Sequence, residues 1–126
     1  MLASDGGIVF QPQVGPAEGF VPKERWRLPA QTVLTGLADG FVSAVNEGSA
    51  SPAFDPDVVV AGKTGSCASL GWFASYAPAE RPEVVIVVFM KRGNGHQASA
   101  IAGRIYQTLY KPAATPPSGG TAGGGS

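Results

Sequence analysis

Val58-Val59-Val60-Ala61-Gly62-Lys63-Thr64-Gly65 opens on a short, continuous run of β-branched and small apolar residues. Such a run reads as a buried strand, and this one leads straight into Lys-Thr-Gly at its end. Leu70 to Tyr76 reads as a second strand, with Trp72 and Phe73 supplying aromatic bulk expected in the sheet core. Pro78 and Pro82 mark a turn. Glu83 to Met90 is the third strand and the most apolar, which predicts a central place in the sheet. Short turns between successive strands imply an antiparallel meander.

Upstream of this core, Val33, Leu34, Leu37, Phe41 and Val45 recur at helical spacing, with Pro29 suited to a first turn and Gly48 to a stop. Gly36 and Gly40 each cost such a helix about 1 kcal/mol relative to Ala. They are expected to admit a close backbone neighbour. Pro52 and Pro56 predict a loop over residues 50–57. Nearer the start, Asp5-Gly6-Gly7 signals a turn and Ile8-Val9-Phe10 a short strand, edge or irregular because Pro12 follows. Residues 15–27, with Pro16, Gly19 and Pro22, read as a loop. Downstream, Arg92 to Gly95 breaks the pattern. Ala98, Ile101, Ala102, Ile105 and Leu109 then form the apolar stripe of a helix that should pack on the sheet. Helix, three antiparallel strands, helix is an α+β order: an antiparallel meander packed by a preceding and a C-terminal helix.

Composition bounds the rest. The 126 residues hold one domain, assigned to 1–111. Residues 112–126 are nearly all Pro, Ala, Thr, Ser and Gly and are expected to form a disordered tail. Nine basic residues balance nine acidic ones, so nothing argues for nucleic acid or an anionic membrane surface as a partner. Cys67 is the single cysteine, without Cys or His neighbours at metal-ligand spacing, and is expected to be a small buried side chain. No metal or cofactor is implied. The start, Met1-Leu2-Ala3-Ser4-Asp5, lacks a basic region and an apolar stretch, so it does not read as a signal peptide.

A lone Lys-Thr-Gly occurs often by chance, and its bland reading is a strand end before a glycine turn. The setting changes its weight. Val60-Ala61-Gly62-Lys63-Thr64-Gly65 is followed by Gly71-Trp72-Phe73-Ala74-Ser75-Tyr76-Ala77-Pro78, then by Pro82-Glu83 and an apolar strand. Together these resemble the C-terminal half of the penicillin-binding protein transpeptidase domain, in the β-lactamase-like superfamily of serine D,D-transpeptidases. Asp5-Gly6-Gly7 with Pro12 resembles that family's Asn-Gly-Gly…Pro segment. Glu47-Gly48-Ser49-Ala50 resembles its helix ending in Glu-Gly-Thr-Ala, and Ala98 to Tyr110 its final helix. The resemblance implies a partial transpeptidase-like fold.

It also implies a chemistry. A serine acyl-transfer site must hold a substrate carboxylate and stabilise an oxyanion. By resemblance Lys63, Thr64 and Gly65 are the catalytic-motif residues: Lys63 supplies positive charge, Thr64 a hydroxyl for the carboxylate, and Gly65 room for substrate backbone. Ser66 occupies the position whose backbone N–H serves the oxyanion hole. The family usually continues Lys-Thr-Gly-Thr-Ala, whereas this chain reads Lys63-Thr64-Gly65-Ser66-Cys67. Ser66 keeps the hydroxyl.

No S-x-x-K and no S-x-N ahead of the Lys-Thr-Gly occur in the chain, so the nucleophile and its base are not among these residues. The resemblance implies the C-terminal portion of a D,D-transpeptidase that cross-links peptidoglycan. Its partners would be D-Ala-D-Ala stem peptides, β-lactams and the missing N-terminal part of the same domain. Its place would be the bacterial cell envelope, at the outer face of the cytoplasmic membrane. The alternatives are a non-catalytic module that binds peptidoglycan peptides, or an inactive fragment. His96, the only histidine, reads as a loop residue before the last helix, and Lys91 and Arg92 as a solvated strand end.

Overall fold

Period-2 alternation decides which side of each strand meets the core, and the computed structural model shows that only one side does. It describes residues 7–12, 14, 19, 21–28 and 31–111, with the backbone alone for 31–34. Three strands form an antiparallel sheet in the order β3-β4-β5: β3 is Ala61–Cys67, β4 Leu70–Ala77 and β5 Val84–Met90. Helix α1, Gln31–Asn46, leads through a single 3-10 turn, Ser51–Ala53, to β3. Helix α2, Gly95–Tyr110, follows β5 and lies across all three strands. The expected α+β meander with a helix before it and one after is thus the observed architecture.

One face of the sheet builds the core. Phe73 on β4 and Tyr106 on α2 are fully buried, joined by Val45 from the end of α1 and by Val60, Ile86 and Ala102. Ser75 is buried among them. Its Oγ lies 3.2 Å from the Ile86 carbonyl and 3.0 Å from the Tyr106 hydroxyl, so this buried hydroxyl has partners. Burial pushes the Tyr106 phenol above its ordinary pKa, more than the Ser75 hydrogen bond draws it back. It stays protonated at neutral pH.

Several sequence expectations need correction. Lys63-Thr64-Gly65 sits in the middle of β3 and not at its end, because Gly65, Ser66 and Cys67 continue the ladder opposite Trp72, Gly71 and Leu70. Val58 to Val60 lie before the strand. β5 is an edge strand among the described residues, not the central one. Its run of apolar residues reflects two apolar faces, of which α2 covers one. Trp72 is 46% exposed, on the face opposite α2, where its ring stacks on Phe89 with centroids 5.0 Å apart. Cys67 is exposed.

The helices also differ in which residues they bury. Helix α2 buries Ala98, Ser99, Ala102, Gly103 and Tyr106, while Ile105 and Leu109 are exposed. Small side chains let the helix approach the sheet closely, so the seam runs along them and not along the larger Ile and Leu residues. Among the described residues Gly36 and Gly40 have no close neighbour: a Cβ built at either would meet nothing within 4 Å. Of the described apolar positions of α1, Val45 is fully buried and Leu37 is exposed, since the helix packs on β3 and the 3-10 turn through its C-terminal end.

A two-stranded ribbon precedes α1. In it β1, Ile8–Phe10, pairs antiparallel with β2, Glu24–Arg27, with a register shift between Val9 and Phe10. The expected loop over residues 15–27 therefore holds a strand. Glu24-Arg25-Trp26-Arg27 is exposed throughout, so no apolar pattern announced it; backbone pairing to Ile8, Val9 and Phe10 makes it. The expected tail over residues 112–126, and Pro29, lie outside the described residues.

The turn from β3 to β4 carries one backbone conformation unusual for its residue. Cys67 and Leu70 pair directly, leaving Ala68 and Ser69 as the loop, and Ala68 has φ 50°. A side chain in the left-handed region costs roughly 1–2 kcal/mol, which glycine avoids at a smaller entropic cost in the unfolded chain. Ala68→Gly is therefore expected to stabilise the chain by about 0.5–1 kcal/mol. Urea midpoints at fixed protein concentration check this, and a lower midpoint would contradict it.

Candidate active-site strand

Adjacent residues of β3 point to opposite faces, and this separates the side chains that the sequence groups together. Lys63 pairs with Ala74 and lies on the face away from α2. Thr64 and Ser66 pair with Phe73 and Gly71 and lie on the α2 face. What reunites them is that β3 is an edge strand. The exposed Lys63 side chain turns back along the edge, and its Nζ donates to the Thr64 carbonyl at 2.8 Å. No carboxylate pairs with Lys63 among the described residues.

Thr64 is held from a distant part of the chain. Its Oγ1 is 2.6 Å from Ser49 Oγ, and the hydroxyl pair is exposed. Ser49 follows the end of α1, where the Ala50 N–H reaches back to the Ala44 carbonyl at 3.0 Å and turns the chain toward β3. His96 adds a second link, its Nδ1 3.3 Å from the Ser49 carbonyl oxygen. His96 thus lies in the first turn of α2 and not in a loop.

The start of α2 braces the other side of the motif. Asn94 caps the helix: its side chain accepts from the Gln97 N–H at 3.0 Å, and the Gln97 side chain accepts from the Asn94 N–H at 3.1 Å. The Gly95 N–H donates to Ser66 Oγ at 2.8 Å. That bond engages the Ser66 hydroxyl with the helix, so its side chain is a structural link here and not a free hydroxyl. Gly95 itself fits against Thr64 and Gly65; a Cβ there would lie 2.7 Å from Thr64 Cβ. The positive end of the α2 dipole consequently abuts the centre of the strand.

Gly65 has a second reason to be glycine besides leaving room for a ligand. A Cβ at Gly65 would lie 2.6 Å from Cδ1 of Trp72, so the indole rests on the bare backbone. Ser49, His96 and Gly95 were not singled out as site residues from sequence. Ser49 stood inside the Glu-Gly-Ser-Ala segment, which was the only available signal. Its approach to Thr64 depends on how α1 packs.

The arrangement offers one ammonium group, two adjoining hydroxyls and an open strand edge. It can bind an anion and align an extended peptide. The described residues hold no serine–lysine pair of the S-x-x-K type that could carry an acyl group.

Comparison with known proteins agrees in kind. The chain matches the family model described as the penicillin binding protein transpeptidase domain over residues 23–111. Among solved structures it is similar to the D,D-transpeptidase domain of a peptidoglycan glycosyltransferase from Eggerthella lenta, at 27% identity and a TM-score of 0.66 over 86% of this chain and 29% of that one. It is similar to penicillin-binding protein A from M. tuberculosis in an imipenem acyl-enzyme complex, at 25% identity and a TM-score of 0.60 over 86% of this chain and 28% of that one. The transpeptidase domain of the FtsI4 D,D-transpeptidase from Legionella pneumophila matches at 29% identity and a TM-score of 0.53, over 64% of this chain and 36% of that one. No curated protein matches. A family match over most of the chain, on a sheet that carries Lys-Thr-Gly at its edge, makes this protein a member of the penicillin-binding protein transpeptidase family, spanning about a third of the structures it resembles.

Proposed function

We propose that Lys63, Thr64, Gly65 and Ser66 form the substrate-holding wall of a serine D,D-transpeptidase site. The ligand is the D-Ala-D-Ala end of a peptidoglycan stem peptide, or a β-lactam that takes its place. The observation that carries this is Lys63, an exposed ammonium on a strand edge with no carboxylate partner among the described residues. The Thr64–Ser49 hydroxyl pair stands beside it to donate to the same carboxylate. An extended peptide can add to the outer edge of β3, and the Ser66 backbone N–H would serve the oxyanion. No S-x-x-K motif stands in these 126 residues, so the reading places the serine nucleophile outside them. The work belongs in the bacterial cell envelope, where peptidoglycan is cross-linked. Among the described residues no helix is long and apolar enough to cross a membrane.

Two measurements test the reading. Calorimetric titration with a peptide ending in D-Ala-D-Ala should show binding that Lys63→Ala weakens by about tenfold, the worth of one exposed charge-assisted hydrogen bond. Arg81→Ala, in the turn between β4 and β5, should leave it unchanged. A fluorescent penicillin should form no denaturation-resistant adduct with the chain alone. Absence of peptide binding, or equal binding by the Lys63 variant, removes the proposal.

A further inference from the structure

The peptide unit between Ser49 and Ala50 is held at both ends. Its N–H, on Ala50, donates to the Ala44 carbonyl of α1 at 3.0 Å. Its carbonyl oxygen, on Ser49, lies 3.3 Å from Nδ1 of His96 in α2. A peptide unit is planar, so holding both groups fixes the orientation of the whole unit. The Ser49 side chain branches from the next backbone atom, and its Oγ meets Thr64 Oγ1 at 2.6 Å. Ser49 stands beyond the last residue of α1, in an exposed turn, so its carbonyl must find a partner outside the helical ladder. His96 is that partner.

His96 is well anchored for the task. Gly95 before it packs on Thr64 and Gly65, Asn94 caps the helix, and the His96 carbonyl accepts from Ser99 Oγ at 2.8 Å. A carbonyl can only accept, so its bond to His96 requires hydrogen on Nδ1. In the neutral ring this leaves the lone pair on Nε2. The helix itself has no need of a histidine at its second residue, since alanine has the higher helix propensity.

We propose that His96 is a positioning residue for carboxylate binding, acting through the Ser49 carbonyl on the Ser49–Thr64 hydroxyl pair. Each hydroxyl of the pair carries one proton. One proton lies between Ser49 and Thr64, and the other is left for an anion beside Lys63. Without the His96 bond the Ser49 peptide unit can turn, and the free proton loses its direction. The inference rests on the role given above to Lys63 and Thr64. It adds α2 to the elements that set affinity for a peptide carboxylate.

Calorimetric titration of the full chain with the D-Ala-D-Ala peptide tests it. His96→Ala should weaken binding by about fivefold, the worth of one exposed hydrogen bond. His96→Asn carries an amide N–H near the place of Nδ1 and should restore most of the loss. His96→Gln carries its N–H near the place of Nε2 and should not. In a Thr64→Val background His96→Ala should have no further effect, because the pair it positions is gone. Nitrogen NMR of the wild-type ring, which needs no variant to fold, should find the neutral His96 proton on Nδ1. The proposal is overturned by unchanged affinity in His96→Ala, by rescue with Gln and not Asn, by additive losses with Thr64→Val, or by a proton on Nε2. Any of these, with Lys63→Ala still weakening binding, leaves the substrate-holding wall intact. A wild-type chain that binds no peptide removes both.

Discussion

Gly71→Ala is expected to destabilise the chain by about 3 kcal/mol, at the upper end of the usual overpacking range. Gly71 lies on β4 between Ser66 and Met90, on the face that meets α2. A Cβ there would sit 2.3 Å from the carbonyl carbon of Asn94 and 2.5 Å from its oxygen. The obstacle is backbone, so no rotamer change relieves it. Asn94 is also the cap of α2 and is fixed by both bonds of its capping box. Relief would require the start of the helix to lift from β3 and to break the Gly95–Ser66 bond. Small domains have only a few kcal/mol of net stability, so this one methyl group should remove a large share of it. Urea unfolding against the wild type at equal protein concentration measures the loss. An unchanged midpoint would show that α2 does not seat on Gly71. A second consequence concerns the site: peptide binding at β3 should weaken in the same variant, because the helix that braces Thr64 is displaced.

Phe73→Ala should cost about 3–5 kcal/mol, the range for emptying a fully buried aromatic position. The ring has no solvent exposure and lies over the α-carbon of Gly62, where a Cβ would come within 2.5 Å of it. Its neighbour in sequence gives the control. Trp72 has the larger side chain, yet it is 46% exposed on the opposite face, and Trp72→Ala should cost only about 1 kcal/mol. Denaturation of the two variants side by side therefore reads the register of the sheet. Equal losses, or a larger loss at Trp72, would mean that the strand presents its other face to α2.

The contrast at Phe73 and Trp72 shows what a sequence pattern leaves open. Both are aromatic and both were expected in the core. A strand with apolar residues on both sides carries no alternation to say which side is buried, and β5 repeats the ambiguity. Its apolar run suggested a central strand, but centrality depends on neighbours supplied by other parts of a chain. For α2 the period of the apolar stripe located the helix and, at Ala98 and Ala102, part of its buried seam, but not at Ile105 and Leu109. Ala98 and Ala102 pack where the helix comes close to the sheet and Tyr106 fills the core beside Phe73, while Ile105 and Leu109 stay exposed.

By itself the sequence determined the two helices, the antiparallel meander of β3, β4 and β5 between them, and the Lys63-Thr64-Gly65 strand. These follow from local propensity, turn residues and a motif contiguous in the chain, all of which are properties of neighbours along the backbone. Only the tertiary structure decided that Ser49 meets Thr64 from 15 residues away and that His96 reaches Ser49 from 47. It alone turned the Ser66 hydroxyl toward Gly95 and left Cys67 exposed. Each of those outcomes depends on how a helix seats on one face of a sheet, and packing of that kind is fixed by volumes and close approaches between residues that the sequence holds far apart.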